Sequence, residues 1–206
     1  MAGAGADLLM KNLLSSVLAI VLLTVVFGFA YPLVMTGFAQ VAFHNKANGS
    51  LIKRDGVVVG SRLAAQAFTG KQYFHERPSA TSPAYNADGT TFANLGPTSS
   101  VLAKNVKAAA DAILKLEGPY NPGLAIHDIP VDAVTTSASG IDPDISPAYA
   151  ALQSRRVAAV RGLPLATVQE LIRENTAGRS FGFFGEPGVN VLELNLALDK
   201  LGGANA

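Results

Sequence analysis

Residues 12–45 contain no lysine, arginine, aspartate or glutamate, and their one titratable side chain other than Tyr31 is His44. No other feature limits the fold as sharply. Within this window, residues 13–34 read LLSSVLAIVLLTVVFGFAYPLV, which as a helix spans about 33 Å and crosses a hydrocarbon core of about 30 Å. Ser15, Ser16 and Thr24 can bond back to helix carbonyls, so they are tolerated in lipid. Tyr31 and Pro32 suit an interfacial ring and a helix exit. A cleaved signal peptide is the rival reading, with Gly28-Phe29-Ala30 as the small-x-small site. The apolar run continues past that site, and its leading segment carries Lys11 offset by Asp7, so a retained anchor is expected. The expected organisation is a short tail over 1–12, a transmembrane helix over 13–34, an apolar connector over 35–45 and one soluble domain over 46–206. Charge alone leaves orientation open: Lys11 precedes the helix, while Lys46, Lys53, Arg54 and Arg62 follow it. A large domain crosses a membrane largely regardless of charge, so an external C-terminal domain is permitted.

Outside the window the chain has ordinary globular composition. Its 16 basic and 15 acidic residues give a net charge of +1 with no basic block, which disfavours nucleic acid as a partner. It has no cysteine, which removes disulfides, thiolate metal sites and thiol catalysis. In residues 50–75, Val57 to Val59 lie between Gly56 and Gly60 and read as a strand. Phe68, Tyr73 and Phe74 are expected in the core. Residues 77–97 read as a long loop, a length usually tied to function or docking. Leu102, Val106, Ala109, Ile113 and Leu116 mark one face of a helix over 99–117, capped by Thr98 or Ser99 and ended at Gly118-Pro119. A second helix begins at Ser146-Pro147 and stops at Gly162, and a third covers about 165–175. Residues 190–201 fit either period; Asn190 with Glu193 resembles a capping box, which selects helix. The expected class is α+β, or α/β with a small sheet.

Catalytic motifs are missing. Gly70-Lys71-Gln72 lacks the spacing of a phosphate-binding loop, and Asp88-Gly89-Thr90-Thr91 is not a phosphorylated-aspartate motif. Ser50-Leu51-Ile52-Lys53 matches S-x-x-K without its partner motifs. Ser137 or Ser139 with His127 has no nucleophile elbow around it. His44, His75 and His127 are dispersed, so no metal site is expected. Residues 135–161 stand apart: small hydroxylated residues and Gly140, then Asp142 and Asp144 before a helix N-terminus, where negative charge is favoured. Gln153 and Arg156 follow one turn apart, and are expected to form an exposed polar docking face.

In this stretch, and in order along most of the chain, the sequence resembles the C subunit of Kdp-type potassium-transporting ATPases. The resemblance is carried by Tyr31-Pro32, Gly37 with Gln40, Asn48-Gly49-Ser50-Leu51, Arg77-Pro78-Ser79-Ala80 and Asn94-Leu95-Gly96-Pro97. Ser137-Ala138-Ser139-Gly140, Asp142-Pro143, Gln153 through Ala158, and Val189-Asn190-Val191-Leu192 complete it. It implies a non-catalytic, single-span inner-membrane subunit. Its partners would be a potassium-translocating subunit, an ATP-hydrolysing P-type subunit and a small single-span subunit, with the lipid bilayer around the helix. The family's role is assembly of a high-affinity potassium importer and a chaperone-like increase in the ATP affinity of the hydrolysing subunit. By this resemblance Gln153 is the expected nucleotide contact, with no tightly bound cofactor and ATP reached through the partner subunit. Arg77, Asn94, Ser137, Ser139, Gly140, Asp142, Asp144, Arg155 and Arg156 are the expected partner-binding residues. A membrane-anchored envelope hydrolase or solute-binding domain is the alternative.

Overall fold

A computed structural model describes residues 3–202 as two units, divided at Ser50 and Leu51. In the first, α1 (Gly3–Leu23) passes through one wide turn with i→i−5 bonding (Thr24–Ala30) into α2 (Tyr31–Ala42). Within the stretch Asp7–Ala42 the most apolar 18-residue window has a mean hydropathy of 2.6, and none of that window is buried by protein. The stretch is long and apolar enough to cross a bilayer, at about 54 Å for 36 residues. The expected boundaries change accordingly. Residues from Gly3 onward are helical rather than tail, the helix does not end at residue 34, and most of the 35–45 connector belongs to α2.

Pro32 explains the difference. It lacks an N–H, and its ring would clash with the carbonyl four residues back in a regular helix. The wide turn around Gly28 absorbs the mismatch, with the Tyr31 N–H bonding the Val26 carbonyl, so Pro32 opens α2 instead of ending the span. The helix breaks at Phe43, where φ is −136°. A turn, α3 (His44–Ala47), is then closed by paired amides: Asn48 Nδ2 donates to Gln40 Oε1 at 3.0 Å and to the His44 carbonyl at 2.7 Å. Residues 46–50 thus go with the helix, and the head begins at Leu51 rather than at residue 46.

The head is α+β. Strands β1 (Leu51–Arg54) and β2 (Val57–Ser61) form an antiparallel hairpin. Its two-residue turn, Asp55-Gly56, has φ of +52° and +80°, the mirror-type turn that matches strand twist. Residues 62–99 contain one short 3-10 turn, Ala87–Gly89, and otherwise run without helix or strand. Helix α4 (Ser100–Glu117) is capped by Ser99, whose hydroxyl accepts from Leu102 N–H. A short α5 (Val131–Val134) and β3 (Asp144–Ile145) lead to α6 (Pro147–Arg161). Ser146 caps α6 through Tyr149 N–H, and Gly162 ends it at φ +66°, both as expected from the sequence. Then come α7 (Leu165–Glu174), β4 (Thr176–Ala177), β5 (Gly188–Asn190) and α8 (Val191–Lys200). Strand β5 pairs antiparallel with β3 on one side and β4 on the other. Asn190 ends β5 and caps α8 by accepting from Glu193 N–H at 3.1 Å, which settles 190–201 as strand end plus helix.

One core joins these elements: Phe74 from the irregular segment, Tyr149 and Val157 from α6, Val168 from α7, Val189 from β5 and Leu194 and Leu198 from α8. Of the expected core aromatics, Phe74 is fully buried, while Phe68 and Tyr73 are half-buried at its edge. Helix α6 is the hub, and its sequence hides this. Its buried residues include Gln153, Ser154, Arg156 and Arg161 alongside Tyr149, Ala150 and Val157, so no apolar stripe marks the inward face.

Candidate functional site

The segment 71–75 crosses the core without a strand partner, so its buried N–H and C=O groups require other partners. Side chains supply them. Asn195 of α8 grips both sides of Phe74, accepting from its N–H at 2.8 Å and donating to its carbonyl at 2.9 Å. Gln153 of α6 does the same one residue on, accepting from His75 N–H at 2.8 Å and donating to its carbonyl at 3.0 Å. Arg156 donates to the carbonyls of Lys71 and, at 2.8 Å, Tyr73. Arg161 donates to the Gln72 carbonyl at 2.7 Å and to Asp199 at 2.8 Å, with its guanidinium over the Tyr73 ring. Two primary amides and two guanidiniums thereby replace the missing strand.

Charge inside this cradle is balanced by Glu117, the last residue of α4. Arg156 Nε donates to Glu117 Oε1 at 2.8 Å and both side chains are fully buried. Burial pushes the Glu117 carboxyl up, and the Arg156 charge pulls it back. Burial, aided by the same guanidinium, lowers the His75 pKa and favours its neutral ring. Glu76 follows directly. It is 4% exposed, and burial pushes its pKa up to about 9. A backbone hydrogen bond from Gln66 opposes the rise and the charges of Asp142 and Asp144 add to it, so the balance favours the neutral acid at pH 7.

Beyond the cradle the chain docks on residues 135–144. Arg77 pairs with Asp142 at 2.9 Å and reaches the carbonyls of Thr135 and Thr136. Ser79 Oγ donates to the Gly140 carbonyl at 2.6 Å, and it also accepts from the N–H of Tyr85. Gly140 sits at φ +73°, and a Cβ there would lie 2.8 Å from Thr81 Cγ2 and 2.9 Å from the Thr91 carbonyl oxygen. Only glycine permits that approach. On the other side of the seam, Ser137 Oγ accepts from Gly140 N–H at 2.9 Å and Ser139 Oγ from Ile141 N–H at 3.2 Å. Asp144 Oδ1 accepts from Asn190 at 3.1 Å; burial raises its pKa, and that bond opposes the rise. Two shallow hollows flank the seam. One of about 360 Å³ is lined by Asn94, Phe92, Leu102 and Ser137. The other, of about 450 Å³, is lined by Arg77, Asp132, Asp142, Asp144 and Glu186.

The expected partner-binding residues therefore separate into groups. Arg77, Ser137, Ser139, Gly140, Asp142 and Asp144 come together on the seam and its flanks, and Asn94 lines the hollow beside it. Arg155 is exposed on α6. Arg156 and Gln153 do not form an exposed docking face: both are 0% exposed and spent on segment 71–75 and on each other. Both polar atoms of the Gln153 amide have partners inside the head. Glu117, Asn195 and Glu76 were not expected. Their signal was present, since Glu117 continues the α4 face after Ile113 and Asn195 lies on the α8 face with Val191, Leu194 and Leu198. Among the described residues no group of three or more His, Asp or Glu is placed to hold a metal ion.

A long unburied apolar helix followed by a small α+β head, with the Arg156 and Glu117 charges committed to the head's own scaffold, fits a single-pass membrane subunit. Comparison with known proteins makes this particular. The chain belongs to the family described as KdpC, the c chain of K+-transporting ATPase, whose match covers residues 13–200. It is 52% identical to the potassium-transporting ATPase KdpC subunit of Paraburkholderia phymatum, over 92% of this chain and 97% of that one. It is 49% identical to the protein of the same name from Koribacter versatilis, over 92% and 94% of the two chains. The Acidobacterium capsulatum protein of that name is 47% identical over 93% of this chain and all of its own.

Proposed function

We propose that this chain is the non-catalytic, membrane-anchored subunit of an ATP-driven, high-affinity potassium importer. It would assemble with a potassium-translocating subunit, an ATP-hydrolysing P-type subunit and a small single-span subunit in the cell inner membrane, with its head on the external side. The observation that carries this reading is the family match, which runs unbroken from within the apolar helix to the end of α8, so that anchor and head are matched as one piece. The seam between residues 77–97 and 135–144 is the partner-facing surface, and the cradle is the frame that positions it. The chaperone-like increase in ATP affinity then acts through assembly rather than through nucleotide contact. An external head has no access to cytosolic ATP, and the full burial of Gln153 agrees with that.

The test uses the whole pump. Ala138→Arg and Arg155→Glu alter exposed positions of the head. If the seam is the docking surface, Ala138→Arg lowers co-purification with the tagged ATP-hydrolysing subunit and raises the ATP concentration needed for potassium uptake, while the head melts as the parent does. Unchanged co-purification and unchanged ATP dependence with Ala138→Arg would remove the seam from the proposal. Failure of the unaltered chain to co-purify with the other subunits would remove the proposal itself.

A further inference from the structure

The segment joining β4 to β5 presents aromatic rings to solvent in a preformed loop. Phe181, Phe183 and Phe184 are 90%, 65% and 60% exposed. In residues 51–202 the only other exposed aromatic ring of Phe or Tyr is Phe92. Scattered exposed apolar residues are ordinary, whereas three large rings in four positions are not. The backbone fixes this display. Ser180 and Phe184 exchange both N–H···O bonds at 2.9 Å, and Arg179 pairs with Glu186 at 2.7 Å across the neck. Within the loop Phe181 stands at φ +53°, with Gly182 at +82° and Gly185 at +79°. A left-handed phenylalanine is uncommon, and here the unfavourable conformation holds a bulky ring out in water. The Phe183 and Phe184 ring centroids lie 4.1 Å apart, so these two rings pack together.

We propose that this loop is a second, shallow membrane contact, which seats its three phenylalanines at the headgroup–acyl boundary of the bilayer that the chain's own helix spans. Two observations select lipid as the occupant. The tip, residues 180–185, reads SFGFFG and carries no charge, and the neck cation is already paired with Glu186. Such a surface complements an uncharged apolar layer and offers nothing to a charged partner. The apolar helix is also joined to the head by a short stretch of chain. Eight residues separate Ala42, the end of the apolar helix, from Leu51, a tether of at most about 30 Å even if fully extended. A tether that short turns a weak interfacial contact into an intramolecular one. Rings of this kind enter the boundary to a depth of about 5–10 Å.

The chain has no tryptophan, so Phe181→Trp or Phe183→Trp introduces the only indole. The full-length chain is reconstituted in phosphatidylcholine vesicles with plain or brominated acyl chains, and Ile126→Trp, at a 60% exposed position in another turn, serves as control. The loop tryptophans should emit to the blue of the control and lose about half or more of their emission in brominated lipid, independent of salt, while the control keeps its emission. Three results would overturn the proposal: loop tryptophans with water-like, unquenched emission; equal quenching of loop and control; or shielding that appears only when the other pump subunits are present, which would assign the loop to a protein pocket.

Discussion

Replacing Gln153 by alanine tests the cradle most directly. The substitution removes the acceptor for His75 N–H and the donor for the His75 carbonyl, at 2.8 Å and 3.0 Å, together with one partner of Arg156. The position is fully buried, so water does not replace these bonds without opening the core. A buried backbone group left unsatisfied costs about 1–3 kcal/mol, and two of them set a loss of roughly 2–6 kcal/mol. For a domain of this size each kcal/mol lowers the melting temperature by about 2–4 °C, so the fall should be roughly 4–24 °C. The assay is thermal unfolding followed by far-ultraviolet circular dichroism, with Arg155→Ala as the exposed neighbour on the same helix. That control should stay within about 0.5 kcal/mol of the parent. Gln153→Glu keeps the shape but loses the donor, and should fall between the two. If Gln153→Ala melts with the parent, segment 71–75 is not held by this amide and the account of α6 as a scaffold helix fails.

Glu76 makes stability depend on pH. Its carboxyl is raised from 4.5 to about 9 in the folded head, so the folded state keeps a proton that the unfolded chain releases. Its contribution is complete below about pH 4.5 and is lost as pH rises towards about 9; the urea midpoint of the parent should fall across that window more than that of Glu76→Gln, and parallel curves would contradict a neutral Glu76. Glu117→Leu strands the Arg156 guanidinium in the core and should destabilise by about 3–5 kcal/mol in urea unfolding. Gly140→Ala forces a Cβ to within 2.8 Å of Thr81 at a left-handed φ, so amide hydrogen exchange over residues 79–91 should speed up while the amides of α6 keep their protection.

Where local chemistry decides the structure, it was readable in advance. Ser99, Ser146 and Asn190 each cap the helix that their position indicated, and Gly162 ends α6, because caps act within one turn of chain. Residues of the seam were singled out through the resemblance, but nothing in the sequence showed that 77–81 and 135–142 meet. The inward-facing polar residues of α6 were not legible. A helical period identifies a buried face only when that face is apolar, and the buried face of α6 carries Gln153, Arg156 and Arg161 because it serves a backbone segment without a strand partner. The extent of the apolar helix was missed for a similar reason. Pro32 is locally a stop signal, and the wide turn that cancels it depends on a bonding shift over seven residues, Thr24–Ala30.

The cradle also places unequal demands on the positions it joins. Gln153, Asn195, Arg156 and Arg161 hold peptide groups, which every residue type except proline supplies alike. The side chains of Lys71 and Gln72, outside the core cluster, are therefore free to drift among homologous chains so long as no proline enters at 74 or 75. The four grips have no such latitude, because each must offer a particular donor and acceptor geometry at a fixed depth. An alignment should accordingly show the gripping helices invariant at isolated polar positions, beside a gripped segment that varies at Lys71 and Gln72. Reading conservation alone would then credit Gln153 with ligand chemistry when its fixed partner is the chain itself.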